Sequence, residues 1–252
     1  MQKIKGLLFD IGGVLYVGDQ VIEGAAESVA ALAEKFPMRF VTNTTRRVPS
    51  TVLKKLLDFG FDINEKQLFT ALNASKDFLS EKGATALPLM TDDAAVYFEA
   101  FKSDHPDYVV VGDAYTNFDY AHMNKAFRAL NNGAELIAAA KNRYFKDNDA
   151  VLSMDAGGFI AALEFATGKE AKIIGKPSET FFHLAVNSMG LEPHEVLMVG
   201  DDIESDIQGA QDAGLKAALV KTGKFQPNDL QKGIVPDLVL EDVNGLRTIL
   251  LS

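Results

Sequence analysis

Four apolar runs, each typical of a buried strand, end on a polar residue that could take part in chemistry. The four residues are Asp10, Thr42, Lys176 and Asp201. If the runs are parallel strands of one sheet, their carboxyl ends meet at the edge where open α/β sheets bind ligands. Two carboxylates, a hydroxyl and an ammonium at one edge suit phosphoryl transfer, in which Mg²⁺ offsets the negative charge of the acids and the phosphate.

The residue types at this edge indicate a covalent mechanism. Asp10 would attack phosphorus in line and form an aspartyl-phosphate that water then hydrolyses. Lys176 would offset negative charge, and Thr42 would donate a hydrogen bond to the phosphoryl group. Gly12 and Gly13 follow Asp10 directly and allow the tight turn and close approach that a bound group requires. Each residue alone is also common in turns and caps, so the prediction depends on all four strand ends together.

Strand and helix patterns alternate along the chain, which predicts an α/β fold built on a doubly wound parallel sheet. A block with its own strand and helix rhythm interrupts this order in the middle of the sequence. Its predicted strands are residues 85–90, 108–111 and 136–140. We therefore predict a core domain formed by residues 1–82 and 171–252, and an inserted α/β domain at residues 83–170.

The composition excludes several classes of protein. With 47% apolar and 24% charged residues among 252, the chain has the balance of a globular protein. Its formal net charge of −10 disfavours nucleic acids and anionic lipid surfaces as partners. The absence of cysteine excludes disulfides, thiolate zinc sites and a cysteine nucleophile. No run approaches the ~18 apolar residues of a membrane span. We predict a cytoplasmic protein that binds neither nucleic acid nor membranes.

Four short motifs resemble those of the haloacid dehalogenase superfamily of phosphatases, and the resemblance covers the whole chain. The motifs are Asp10-Ile11-Gly12-Gly13-Val14-Leu15, Phe40-Val41-Thr42-Asn43, Gly175-Lys176-Pro177, and Gly200-Asp201-Asp202 with Asp206. The insert between the second and third motifs is similar to that of the subgroup with a large α/β cap. The resemblance implies a Rossmann-like core, a cap domain over residues 83–170 and, as an expectation at the level of the family, a homodimer formed through the cap.

On the substrate side, the resemblance implies that Asp10 is the catalytic nucleophile. It also implies that Thr42 and Lys176 bind the phosphoryl group, and that Lys176 takes part in catalysis. Asn43 would help to orient the phosphate or Asp10.

On the metal side, the resemblance implies that Mg²⁺ is held by Asp10, Asp201 and the backbone carbonyl of Gly12. Either Asp202 or Asp206 would be an auxiliary carboxylate near the ion.

The chain departs from the superfamily pattern at Gly12. Most phosphatases of the superfamily have an aspartate at this position, which protonates the leaving oxygen and later activates water. General acid–base catalysis contributes roughly 10²–10⁴-fold, so its loss predicts weak activity on alkyl phosphate esters. Leaving groups that need little protonation, such as nitrophenolate, pyrophosphate or the imidazole of a phosphohistidine, should be affected least.

Other residues could supply the missing acid or bind the leaving group. Asp19 and Asp155 are two carboxylates that could reach the leaving group, although an ordinary surface aspartate is the simpler interpretation of each. Asn142, Arg143 and Asp155 are the candidates for a substrate loop in the inserted domain. A polar turn is the alternative interpretation of these residues.

The function predicted from the sequence is hydrolysis of a small phosphate compound by a Mg²⁺-dependent phosphatase. A non-catalytic or very slow phosphate-binding protein is an alternative, because the acid at position 12 is absent. A dehalogenase also uses an aspartate nucleophile, but it needs no metal, and the Gly200-Asp201-Asp202 segment and the large insert argue against it.

Overall fold

The computed structural model describes residues 4–146 and 151–251. The strands are β1 Gly6–Asp10, β2 Tyr16–Val17, β3 Gln20–Val21, β4 Met38–Thr42, β5 Leu68–Thr70, β6 Ala86–Leu89, β7 Tyr108–Val111, β8 Glu135–Ala138, β9 Tyr144–Lys146, β10 Leu152–Met154, β11 Lys172–Ile173, β12 Val196–Gly200, β13 Lys216–Val220 and β14 Leu238–Leu240. The α-helices are α1 Ala25–Ala33, α2 Pro49–Asp58, α3 Ala71–Lys82, α4 Asp92–Val96, α5 Tyr120–Asn131, α6 Ala156–Thr167, α7 Glu179–Asn187, α8 Gly209–Asp212 and α9 Gly245–Leu251. Ile203–Gln208 forms a π-helical segment before α8.

A six-stranded parallel sheet has the order β14-β13-β12-β1-β4-β5. Successive side chains of β1 point to opposite faces, as the pleat of a strand requires. Leu7 and Phe9 pack with α1, α2 and α9, whereas Leu8 packs with α7 and the π-helical segment. Both faces are covered by helices, which explains why the strands are apolar along their length rather than alternating. The predicted doubly wound α/β fold is confirmed.

A second parallel sheet of four strands has the order β11-β8-β7-β6. Val109 and Val111 pack with α5 and α6 on one face, and Val110 packs with α3 and α4 on the other. Two antiparallel hairpins, β2–β3 and β9–β10, lie outside both sheets. The sequence patterns did not predict these hairpins, because each of their strands is only two or three residues long.

The prediction for one strand is wrong. The sequence pattern places the run at residues 171–175 in the core sheet, with its end at the same edge as the other three strands. The structure places β11 in the second sheet, where it pairs with β8. Helix α3 also packs against the second sheet, through Leu72 and Leu79. The domain division at residues 83–170 therefore remains a prediction, although the chain does build two separate sheets.

The six-stranded sheet positions the candidate site at its centre. From β1 the chain runs outward through β4 and β5, and it later returns to β12 on the other side of β1. Such a reversal in strand order opens a crevice at the carboxyl ends of the central strands.

Within residues 4–146 and 151–251, no helix combines the length and apolar composition that crossing a membrane requires.

Candidate active site

A buried ion cluster lies at the carboxyl ends of β1 and β12. Lys176 places its ammonium 2.5 Å from Oδ1 of Asp10 and 2.7 Å from Oδ1 of Asp206. All three side chains are buried. Asp10 is the last residue of β1, whereas Lys176 arrives from the loop after β11 of the second sheet. The ammonium therefore joins the two sheets at the site.

Asp201 completes the cluster from the end of β12. Its Oδ2 accepts a hydrogen bond of 2.7 Å from the backbone N–H of Lys224. Gly13 and Gly223 both lie against this carboxylate, each with a left-handed backbone conformation. A Cβ atom on either glycine would lie 2.0 Å from Oδ2 of Asp201, so only glycine fits at these two positions.

The donor set at this cluster fits a magnesium ion. Oδ1 of Asp201 is buried and has no hydrogen-bond partner among the described residues. Asp10, Asp201 and Asp206 each offer an oxygen within 4.8 Å of the others. Carboxylate oxygens are the ligands that Mg²⁺ prefers, and an unpartnered buried carboxylate oxygen is costly unless a cation or donor meets it.

The ionisation of the cluster follows from burial and from its crowded charges. Burial raises the pKa of Asp201 well above its usual value, and repulsion from Asp10 and Asp206 adds to this effect against the opposing charge of Lys224. Burial also raises the pKa of Asp206 to about 6, although Lys176 opposes the shift. Burial would lower the pKa of Lys176, but Asp10 and Asp206 outweigh it, and the net shift is upward. The raised pKa values of Asp201 and Asp206 thus reflect repulsion within a buried group of three carboxylates, which a divalent cation would relieve.

Thr42 and Asn43 lie at the end of β4, next to the cluster. The hydroxyl of Thr42 donates to the hydroxyl of Thr44 at 3.0 Å. The amide of Asn43 donates to the backbone carbonyl of Lys176 at 2.8 Å and accepts from the backbone N–H of Lys176 at 2.9 Å. Asn43 therefore clamps the loop that carries Lys176, while contact between Asn43 and a phosphate remains a prediction.

Asp202 and Asp206 make different contacts. Oδ1 of Asp202 caps the π-helical segment by accepting from the N–H groups of Glu204 and Ser205, and Oδ2 pairs with Lys224 at 2.8 Å. Asp206 contacts Lys176 and belongs to the carboxylate cluster. Of the two predicted auxiliary carboxylates, Asp206 is the one in the cluster.

A cleft of about 700 Å³ opens over the cluster. Asn142 and Asp155 line it together with Asp10, Gly12 and Lys176. The structure thus brings Asn142 and Asp155 to the cleft, while their contact with a substrate remains a prediction.

Arg143 does not line this cleft. It borders a separate cavity of about 210 Å³, with its side chain 80% exposed and 3.7 Å from a carboxylate oxygen of Glu204.

Lys224 is the site residue to which the sequence assigned no role. Its ammonium pairs with Asp202, and its backbone N–H holds Asp201. Burial would lower the pKa of Lys224, yet Asp202 and Asp201 outweigh this effect and raise it. The position of Lys224 in the sequence could have indicated this role. Thr222-Gly223-Lys224 follows β13, which lies next to β12 in the sheet.

The fold and the site define a doubly wound α/β enzyme with a buried carboxylate cluster and a lysine at the switch point of its sheet. Comparisons with known proteins agree. The family model for haloacid dehalogenase-like hydrolase matches residues 7–102, and that for HAD-hydrolase-like proteins matches residues 173–246. The chain belongs to the haloacid dehalogenase-like hydrolase family.

Individual relatives match along nearly the whole chain. Haloacid dehalogenase-like hydrolase domain-containing protein 2 of Bos taurus is 40% identical over 92% of this chain and 89% of that protein. Phospholysine phosphohistidine inorganic pyrophosphate phosphatase of Danio rerio is 35% identical over 100% of this chain and 96% of that protein. The crystal structure of 4-nitrophenylphosphatase from Thermotoga maritima superposes with a TM-score of 0.89 at 26% identity, covering 98% of this chain and 97% of that one.

Proposed function

We propose that this chain is a Mg²⁺-dependent phosphatase that hydrolyses a small phosphate compound through an aspartyl-phosphate on Asp10. The observation that supports it most is the buried Oδ1 of Asp201, which lies beside two further carboxylates and has no hydrogen-bond partner in the part of the chain that the structure describes. A phosphate dianion could enter such an acidic cluster only if a cation offsets the charge. The proposed ligands of the ion are Asp10, Asp201 and the backbone carbonyl of Gly12.

The side chains around Asp10 support in-line attack. The Asp10 carboxylate would attack phosphorus, the bond to the leaving group would break, and the phosphoryl group would pass to Asp10. The ammonium of Lys176 and the hydroxyl of Thr42 would stabilise the phosphoryl oxygens. Water would then release phosphate and restore the Asp10 carboxylate. When bound, Mg²⁺ would supply electrostatic stabilisation of the developing negative charge.

Gly12 bears on the substrate preference. With no side chain at this position, leaving groups that need little protonation should react best unless another carboxyl supplies the proton. The name of one relative mentions pyrophosphate, phospholysine and phosphohistidine, and these chemical classes are consistent with that preference. We therefore propose phosphoric anhydrides and phosphoramidates as the substrate classes to examine first.

A second candidate function is phosphate binding without useful turnover. The glycine at position 12 favours this candidate, because the side chain that usually transfers the proton is absent. This candidate predicts that phosphate still binds near Lys176 in the presence of Mg²⁺ while no ester is hydrolysed.

Hydrolysis of 4-nitrophenyl phosphate distinguishes the two functions. The phosphatase predicts release of nitrophenolate that requires Mg²⁺, stops with EDTA and disappears in Asp10→Asn. A matched control is Asp58→Asn, which changes an exposed carboxylate at the rim of the same cleft. No release under any condition, together with phosphate binding detected by calorimetry, would favour the binding protein.

A further inference from the structure

Asp155 differs from the other carboxylates that line the outer part of the cleft. Each of the others forms an ion pair with a neighbouring cation. The pairs are Asp19 with Lys55, Asp58 with Lys54, and Asp113 with Arg46. Among the side chains that the structure describes, those of residues 4–145 and 151–251, no cation lies within ion-pair distance of Asp155 at this cleft. A carboxylate paired with a cation is held ionised, whereas an unpaired one in a partly buried place can keep its proton.

The position of Asp155 is set by a chain of hydrogen bonds that leads to the nucleophile. Asn43 donates to Oδ1 of Asn142 at 3.2 Å, and the next residue, Arg143, accepts a hydrogen bond of 3.1 Å from the backbone N–H of Asp155. At the other end of the chain, Asn43 clamps the backbone of Lys176, whose ammonium contacts Asp10. The carboxyl of Asp155 is thus held over the same cleft as Asp10 by residues of both sheets.

Helix α6 fixes Asp155 from the other side. Asp155 is the N-cap of α6, and its Oδ1 accepts a hydrogen bond of 2.7 Å from the N–H of Ala156. The first turn of the helix is tied back further, because Gly157 donates its N–H to the carbonyl of Asn142. A Cβ on Gly157 would lie 2.4 Å from that carbonyl oxygen, so the approach is close. The carboxyl therefore has little freedom to swing away from the cleft.

The surroundings of Asp155 favour its protonated form. Burial raises the pKa of this carboxyl, and the charge of Asp113 adds to the effect. The hydrogen bonds from Ala156 and Asn142 and the charge of Lys224 oppose the rise without reversing it. By contrast, the hydrogen bond from Lys55 lowers the pKa of Asp19.

We propose that Asp155 is the proton donor to the leaving group, the role for which Gly12 has no side chain. This inference rests on the proposed phosphatase function. As the bond from phosphorus to the leaving atom breaks, its electron pair passes to that atom. The Asp155 carboxyl transfers its proton there, and Asp10 becomes the aspartyl-phosphate. In the second step water attacks phosphorus and gives its proton to the Asp155 carboxylate. The Asp10 carboxylate departs with its electron pair, which restores both acids.

Asp155→Asn tests the proposal, because asparagine caps a helix as well as aspartate but cannot act as this acid. The assay measures kcat/KM with Mg²⁺ on 4-nitrophenyl phosphate, phenyl phosphate and glycerol phosphate. We expect kcat/KM to fall by about 10²–10⁴-fold for glycerol phosphate and by less than about threefold for 4-nitrophenyl phosphate. The dependence of kcat/KM on the pKa of the leaving group therefore becomes steeper. Asp58→Asn, at an exposed carboxylate of the same cleft, is the matched control and should leave the wild-type dependence unchanged.

Restoring an acid at position 12 gives the complementary test. A Cβ at Gly12 has no atom within 4 Å, so an aspartate can be placed there without a clash at Cβ. In the Asp155→Asn background, Gly12→Asp should recover glycerol phosphate hydrolysis by about 10²–10⁴-fold and change 4-nitrophenyl phosphate hydrolysis little. Asp155→Ser keeps the cap and serves as the second variant if Asp155→Asn unfolds.

Several outcomes would overturn the proposal. An equal loss on all substrates would mean that Asp155 has only a structural role, and no loss on any would mean that it has none in catalysis. A wild-type dependence on the leaving group as steep as that of Asp155→Asn would also contradict it. Failure of the proposed function is distinguishable, because the wild-type protein would then release no nitrophenolate at all.

Discussion

Replacing Lys176 by methionine should destabilise the protein strongly, because the ammonium is the cation that contacts two buried carboxylates. Its Nζ lies 2.5 Å from Asp10 and 2.7 Å from Asp206, and the residue is only 2% exposed. Methionine fills a similar volume, so the change is mainly one of charge. Removing one partner from a buried ion pair costs about 3–5 kcal/mol. For a chain of this size, that corresponds to a fall in Tm of about 6–20 °C.

The assay is thermal unfolding without metal, followed by circular dichroism at neutral pH. Lys54→Met is the matched control, because Lys54 also pairs with a carboxylate, that of Asp58, but both side chains are largely exposed. Exposed pairs contribute about 0–1 kcal/mol, so this variant should unfold close to the wild-type temperature.

Two further variants test the electrostatic cause. Adding Asp206→Asn to Lys176→Met should recover part of the stability, because it removes one of the uncompensated charges. Mg²⁺ should raise the Tm of Lys176→Met more than that of the wild type, since the cluster has gained net negative charge. A Lys176→Met protein within about 2 °C of the wild type, or a double variant less stable than the single one, would refute this reasoning.

Two other predictions concern the metal site and the glycines around it. Mg²⁺ at 100 times its Kd should stabilise the wild type by about 2.7 kcal/mol in thermal unfolding and should not stabilise Asp201→Asn. Without metal, Asp201→Asn should be the more stable protein, because burial and repulsion raise the pKa of Asp201 and the amide removes that charge; a less stable variant would contradict this. Gly13→Ala should cost at least about 1–3 kcal/mol in urea unfolding and abolish stabilisation by Mg²⁺, because its left-handed backbone and its contact with Asp201 exclude a Cβ. Gly12→Ala next to it should stay within about 0.5 kcal/mol of the wild type, and equal effects of the two alanines would refute the explanation.

Local patterns in the sequence were sufficient for most of the six-stranded sheet and for half of the cluster. Asp10, Thr42 and Asp201 each end or directly follow an apolar run, and the structure places all three at the carboxyl edge of one sheet. This worked because a strand buried on both faces must be apolar along its length and must become polar where it leaves the core. The proximity of Asp10 and Asp201 could thus be predicted from the apolar runs that precede them.

The tertiary structure decided where Lys176 comes from and what surrounds Asp155. The short run before Lys176 has the same apolar character in either sheet, so its pairing with β8 could not be read from its residues. Asp155 resembled an ordinary surface aspartate, yet the charges of Asp113 and Lys224 that act on its pKa come from segments distant in sequence. Hydrophobicity patterns record which residues leave water, but the pairing of strands and the ionisation of a carboxyl depend on which distant groups then meet them.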